Sequence, residues 1–166
     1  METIFWTSAK PTEDTYILAA TEKGLCFIGS PNEGFHELET WAQKKIPKAT
    51  FEQNPPKLQV ATTALDQYFF GNERHADVTL DLRGTDFQQS VWNALQKIPY
   101  GKTVSYGEIA AEIGKPSAVR AVGGAIGANP VMVFIPCHRV IGRNGTLTGF
   151  RGGLKLKEEL LTLERR

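Results

Sequence analysis

The spacing of apolar residues changes near Gly84, and this change divides the 166-residue chain into two stretches that cannot share one type of packing. Before it, short β-rich segments at residues 3–8, 16–21 and 25–29 are separated by the turn-prone pairs Lys10-Pro11 and Lys23-Gly24, which predicts an antiparallel meander. Phe35, Leu38, Trp41 and Ala42 recur at helical spacing, as do Leu58, Ala61, Leu65 and Phe69, so two amphipathic helices follow, the second stopped at Gly71. Residues 78–82 read as a returning strand. Residues 1–83 therefore form an α+β domain, and no chemical constellation stands out in it.

From Gly84 onward the pattern is helical. Thr85 and Gln88 have capping-box spacing ahead of the stripe Phe87, Val91, Trp92 and Leu95, and Ile98-Pro99 ends that helix. Ser105 and Glu108 repeat the box before Ile109, Ala110 and Ile113, with Gly114 as the stop. A third helix is expected from Ser117 and a last one from about Leu154 to Glu164, which makes residues 84–166 a mostly helical second domain.

Charge follows the same division. Residues 1–83 carry eight Lys/Arg against twelve Asp/Glu, a net −4, while residues 84–166 carry eleven against six, a net +5. The second half is the one suited to a polyanion, although a difference of this size also arises between small domains with no such partner. The first ten residues have neither the basic-then-apolar character of an export signal nor that of a transit peptide, and no apolar run approaches membrane-spanning length. The expectation is a cytoplasmic protein. Two distant cysteines, Cys26 and Cys137, make no disulfide framework, though a bridge between them stays open.

Residues 106–122 read as helix, Gly-containing turn, helix, the layout of a helix-turn-helix reader and equally of many helical cores. The second helix has a thin face of Ala118, Ala121, Gly123, Gly124 and Ala125, a single long cation in Arg120, and Ser117 at its start where first-turn amides can accept a phosphate. Such a helix reads few base edges. It suits the narrower groove, with Arg120 inserted where a base has left the stack.

The chemistry concentrates at Ile135-Pro136-Cys137-His138-Arg139-Val140. The apolar run 131–135 predicts a buried strand that Pro136 terminates, which puts the Cys137 sulfur at a strand end inside a pocket. A thiol reacts as thiolate, so a base is required, and His138 is adjacent. Neighbours on a strand face opposite ways; contact needs an irregular backbone, for which Pro136 is a reason, or a bridging water. Glu164 is the candidate to orient the imidazole. The same residues also fit a buried structural cysteine beside a satisfied histidine. Zinc is a weaker reading, since Cys26, Cys137, His36, His75 and His138 show no close ligand pairs, and the local signatures of cysteine proteases are absent.

Val104-Ser105-Tyr106-Gly107, Arg120-Ala121-Val122-Gly123-Gly124-Ala125, Asn129-Pro130 and the Pro136-Cys137-His138-Arg139-Val140-Ile141 segment together resemble the O6-alkylguanine-DNA alkyltransferase family over most of residues 85–166. The resemblance implies a ribonuclease-H-like first domain and a second domain holding a helix-turn-helix and the active-site cysteine. It implies a protein that flips O6-alkylguanine out of double-stranded DNA and transfers the alkyl group irreversibly to Cys137, acting once, as a monomer and without a cofactor. By the same resemblance His138 deprotonates Cys137 through a water, Glu164 orients His138, and Asn129 braces the turn. Tyr106 donates to the purine, Val140 reads the base through its backbone, and Phe150 and Arg151 lie in the pocket wall. Ser117, Arg120, Ala121 and Gly124 meet DNA. Some relatives hold zinc in the first domain; Cys26 is the lone cysteine there, so no metal is expected. Phe150 and Arg151 stand where some members carry tyrosine and serine, which bears on substrate size. A non-catalytic sensor of alkylated bases and a transcription factor using the helix pair are the rivals.

Overall fold

A sharp turn at Gly24, with φ +148°, reverses the chain between the second and third strands and lets a later segment pass against it; a side chain there would lie 2.6 Å from the Thr79 carbonyl. The computed structural model describes residues 1–71 and 77–166. Their contacts divide into two units, Met1–Arg83 and Gly84–Arg166.

In the first unit β1 (Thr3–Ala9), β2 (Tyr16–Thr21) and β3 (Gly24–Ile28) pair antiparallel, as the alternation predicts. A fourth strand, β4 (Thr50–Gln53), pairs parallel to β1 with Thr3 opposite Thr50, giving the order β3-β2-β1-β4. Every residue of β2 is buried, as the centre of a sheet covered on both faces must be. On one face α1 (Phe35–Lys45) brings Leu38 and Ala42 onto Ile4, Ile17, Ala19 and Phe27. On the other, α2 (Gln59–Phe69) follows a 3-10 turn at Pro55–Leu58, and Phe69 stacks 5.8 Å from Tyr16. Residues 78–82 do not form the expected strand. They touch β3 through one bridge, Leu25 with Leu80, because Asp81 then turns its carboxylate to Thr21 at 2.5 Å and to Arg83 at 2.7 Å. Arg83 also reaches Glu2, closing the unit with side-chain bonds in place of a ladder.

The second unit starts on α3 (Asp86–Gln96), whose capping box is complete: Thr85 accepts from the Gln88 amide, and the Gln88 side chain accepts from the Thr85 amide. Trp92 is buried and donates its indole N–H to the Ala125 carbonyl at 2.9 Å, tying α3 to α5 (Val119–Gly127). Between them α4 (Tyr106–Glu112) is capped by Ser105, as its spacing predicts. Helix α5 starts two residues later than expected, because residues 116–117 form a turn and Ala118, which has no capping side chain, holds the cap position. The largest correction concerns residues 131–135. All but the half-buried Phe134 are buried, yet they form no strand: the chain turns at Val133, and Ile135 donates back to Val131 at 3.0 Å. Nearby, β5 (Val104–Ser105) pairs with β6 (Val140–Ile141) in a short parallel sheet, and β6 begins after the cysteine. Helix α6 (Leu154–Glu164) closes the chain as predicted.

Gly84 lies against the Trp92 ring, where a Cβ would approach to 2.5 Å. Gly84→Ala must push a buried indole that is pinned by its own hydrogen bond, and it is expected to cost about 1–3 kcal/mol. Denaturant unfolding checks this; a loss below a few tenths of a kcal/mol would contradict the packing described.

Candidate active site

Asn129 explains why an apolar run folds into a turn here. Only 2% exposed, its side chain accepts from the Val131 amide at 2.9 Å and donates to the Ile135 carbonyl at 2.8 Å, replacing the bonds a strand neighbour would have made. The loop closes tightly enough to hold Val133 at φ +77°, a conformation that a β-branched residue adopts at a cost of about 1–3 kcal/mol. Pro136 follows with φ −79° and ψ 64°, and the Cys137 amide donates to the Ile135 carbonyl at 2.7 Å: an inverse γ-turn. Cys137–Arg139 then form one turn of 3-10 helix. The irregular backbone expected of Pro136 is present, at the start of a helical turn instead of the end of a strand.

Burial divides the roles within this turn. Cys137 keeps 6% of its surface exposed, while His138 has none. His138 Nε2 lies 2.6 Å from Glu164 Oε2, and Glu164, near the end of α6, is buried with it. The same carboxylate accepts from Arg139 Nε at 2.8 Å, from Arg139 Nη2 at 3.1 Å and from the Gly101 amide at 3.1 Å. Arg139 Nη1 donates to the Ile98 carbonyl at 2.7 Å, and its guanidinium lies 5.6 Å from the Tyr100 ring centre. Burial pushes the His138 pKa below its ordinary 6.5, the Glu164 hydrogen bond and charge opposing it. Burial also pushes the Cys137 thiol up, while a hydrogen bond from Asn129 and the charges of Arg151 and Lys157 work toward the thiolate.

The segment after the sheet folds over the Asn129 turn. Arg151 Nη2 donates to the Pro130 carbonyl at 3.3 Å, and a side chain at Gly152 would meet Leu156, Phe150 and Met132 within 3.3 Å, so the loop carrying Phe150 and Arg151 lies against that turn. Val140 is buried and pairs with Val104, which places Tyr106 two residues further on at the start of α4. Tyr106 bonds to the Thr148 hydroxyl. A cleft of about 530 Å³ opens beside it, lined by Ser105, Tyr106, Glu108, Ala111, Val119 and Arg143. On α5, Arg120, Ala121 and Gly124 are exposed, as is Ser117 just before it, while Val122, Ala125 and Ile126 face the core.

Cys137, His138, Glu164, Asn129, Val140, Phe150 and Arg151 thus gather around the 3-10 turn, Tyr106 follows at the sheet end, and Ser117, Arg120, Ala121 and Gly124 lie on an outer face. Three residues given no role from sequence belong with them: Arg139, Thr148 and Lys157. Lys157 is 1% exposed and donates to Thr148, and a lysine two turns before Glu164 on α6 was the available signal. Of the ligands weighed for zinc, Cys26 and Cys137 are free and buried, His36 is exposed, and His75 lies outside the described residues. Burial lifts the Cys26 thiol to about 12, which leaves it inert. Among the described residues, no helix is long and apolar enough to cross a membrane.

Comparison with known proteins agrees along the whole chain. Residues 14–82 match the ribonuclease-like domain of 6-O-methylguanine DNA methyltransferase, and residues 86–166 match its DNA binding domain. The inducible methylated-DNA--protein-cysteine methyltransferase of Bacillus subtilis is 48% identical over 99% of this chain and 92% of its own. The methylated-DNA--protein-cysteine methyltransferase of Methanosarcina acetivorans is 47% identical over 89% and 90%. Among solved structures, Mycobacterium tuberculosis OGT in complex with DNA superposes with a TM-score of 0.80 at 41% identity, covering 98% of this chain and 92% of that one. With both halves matched in order and near-half identity end to end, the chain belongs to the 6-O-methylguanine DNA methyltransferase family.

Proposed function

We propose that this protein repairs DNA by moving the alkyl group of O6-alkylguanine onto Cys137, once and irreversibly. The observation that carries the reading is the fully buried His138–Glu164 pair placed next to a cysteine that keeps a small part of its surface open to solvent. Glu164, bound twice by Arg139, is ionised and can only accept, so His138 carries its proton on Nε2 and holds its lone pair on Nδ1. Through a bridging water, that nitrogen takes the thiol proton. Glu164 then stabilises the imidazolium, as the carboxylate does in related triads. The thiolate attacks the alkyl carbon in line, the C–O6 bond breaks, and Tyr106 protonates the departing purine. Displacement at a saturated carbon changes no oxidation state, so the step calls for no cofactor.

Asn129 supports the cysteine by fixing the turn ahead of it. The backbone at Val140 reads the base edge, Phe150 and Arg151 form the facing wall, and Arg151 narrows the entrance for larger adducts. The small-residue face of α5, with Ala121 and Gly124 exposed, enters the narrow groove as the reading helix of a helix-turn-helix, Ser117 meets a phosphate, and Arg120 fills the space of the extruded base. A second unit with net charge +5 favours this polyanion, and binding weakens with salt. The protein acts as a monomer in the cytoplasm, where its two free cysteines stay reduced.

Transfer from a duplex and from the free modified base tests this. Cys137→Ala is expected to bind the duplex as tightly as the parent and to remove no methyl group, and Arg120→Ala to lose rate on the duplex while keeping it on the free base. Methyl removal by Cys137→Ala, or equal loss on both substrates for Arg120→Ala, would contradict the assignment. The pH profile is a further check. His138 must be neutral to accept a proton and burial holds its pKa below the ordinary 6.5, so the single-turnover rate should fall to half its plateau only at a pH below 6.5. A half-maximum at or above 6.5 counts against His138 as the base.

A further inference from the structure

Tyr106 does not stand alone at the purine. Its hydroxyl bonds to the Thr148 hydroxyl, and Thr148 in turn accepts from Lys157 Nζ, at 3.2 Å on its carbonyl and 3.5 Å on its hydroxyl. Lys157 is 1% exposed, on the same face of α6 as Glu164, seven residues on. Lysines are almost never buried this fully unless paired, yet both acceptors here are uncharged. Burial lowers the Lys157 pKa from its ordinary 10.5, and the charge acting against that shift is the Cys137 thiolate. The ammonium is therefore one hydroxyl away from Tyr106, and its charge and that of a Cys137 thiolate favour each other.

We propose that Lys157 and Thr148 are the proton supply of Tyr106, a three-residue relay that discharges once as the alkyl group moves. The inference rests on the reading of Cys137 as alkyl acceptor and Tyr106 as donor. As sulfur bonds to the alkyl carbon, the C–O6 electron pair passes to guanine. Tyr106 gives its phenolic proton to the purine, Thr148 gives its hydroxyl proton to the Tyr106 oxygen, and the Lys157 ammonium gives one proton to Thr148. The ammonium ends as a neutral amine, guanine leaves protonated, and Tyr106 and Thr148 are unchanged. Burial favours that amine, and a protein that reacts once needs no path to reload it. Before discharge the same ammonium stabilises the thiolate, so its charge is present when sulfur is anionic and gone when the thioether is neutral.

Thr148→Val keeps the shape and removes the hydroxyl, while Thr148→Ser keeps the hydroxyl. Two rates are measured for each: methyl transfer from O6-methylguanine in a duplex, and alkylation of Cys137 by iodoacetamide, whose leaving iodide needs no proton. Thr148→Val should slow methyl transfer about 10- to 100-fold, with iodoacetamide alkylation and duplex affinity unchanged. Thr148→Ser should recover the parent rate, and Lys157→Met should slow methyl transfer as Thr148→Val does. Parent-like methyl transfer by Thr148→Val overturns the relay, and so does equal slowing of both alkylations, which would mark Thr148 as merely structural. If the parent itself accepts no methyl group, the functional reading fails and the relay with it; if the parent reacts and Thr148→Val matches it, the relay alone fails.

Discussion

One buried carboxylate organises the second unit. Glu164 accepts from His138, twice from Arg139, and from the Gly101 amide, so the end of α6, the turn that carries Cys137 and the loop after α3 meet on two oxygen atoms. A carboxylate taken out of water must be satisfied this fully, and removing one partner from such a buried pair typically costs about 3–5 kcal/mol. The arrangement has a chemical consequence as well as a structural one. Two hydrogen bonds from Arg139 favour the charged form of the Glu164 carboxylate, which accepts from His138 Nε2, so in the proposed mechanism the guanidinium bears on the proton transfer at Cys137 without touching it. That is why Arg139 sits inside the motif next to the cysteine and histidine, a position for which local sequence offers no separate explanation.

A second constraint is backbone geometry. A cysteine at the end of a strand would point away from the adjacent histidine. The Asn129 turn, the strained Val133, the γ-turn at Pro136 and the 3-10 turn that follows replace that alternation with a helical step. The devices are local, and hydrogen bonds of Asn129 and of the Ile135, Cys137 and Arg139 amides hold them, so the backbone sets the position of Cys137. The thiol pays for this with desolvation, and the residues around it, Asn129, Arg151 and Lys157, offset the penalty in part.

Much of this was legible in the sequence. The capping residues Thr85 and Ser105 mark the starts of α3 and α4 because a cap is a short-range signal between residues three apart. The β1–β2–β3 meander and α6 follow from periodicity. The illegible parts depend on distant partners. β4 is exposed along its length and lacks alternation, so only its pairing with β1 makes it a strand. Residues 131–135 have the composition of a buried strand, and the preceding Asn129 side chain, invisible to any period, turns them back. Residues 78–82 fail as a strand because Asp81 prefers side-chain partners. At the site, Cys137, His138 and Glu164 stand out by chemical type and by their place in the family pattern. Arg139, Thr148 and Lys157 do not, since an arginine, a threonine and a lysine on a basic half of the chain look like solvated surface until their burial is known.

These elements converge on one sulfur atom, which in the proposed mechanism gives up its proton to the buried His138 imidazole and keeps the carbon it receives. The most direct measurement is the mass of the peptides recovered after the protein meets a duplex bearing one O6-methylguanine. A single added methyl group is expected, on the peptide containing Cys137, in one-to-one proportion with the guanine restored. A methyl group on any other residue, or guanine restored with the Cys137 peptide unchanged, would contradict it.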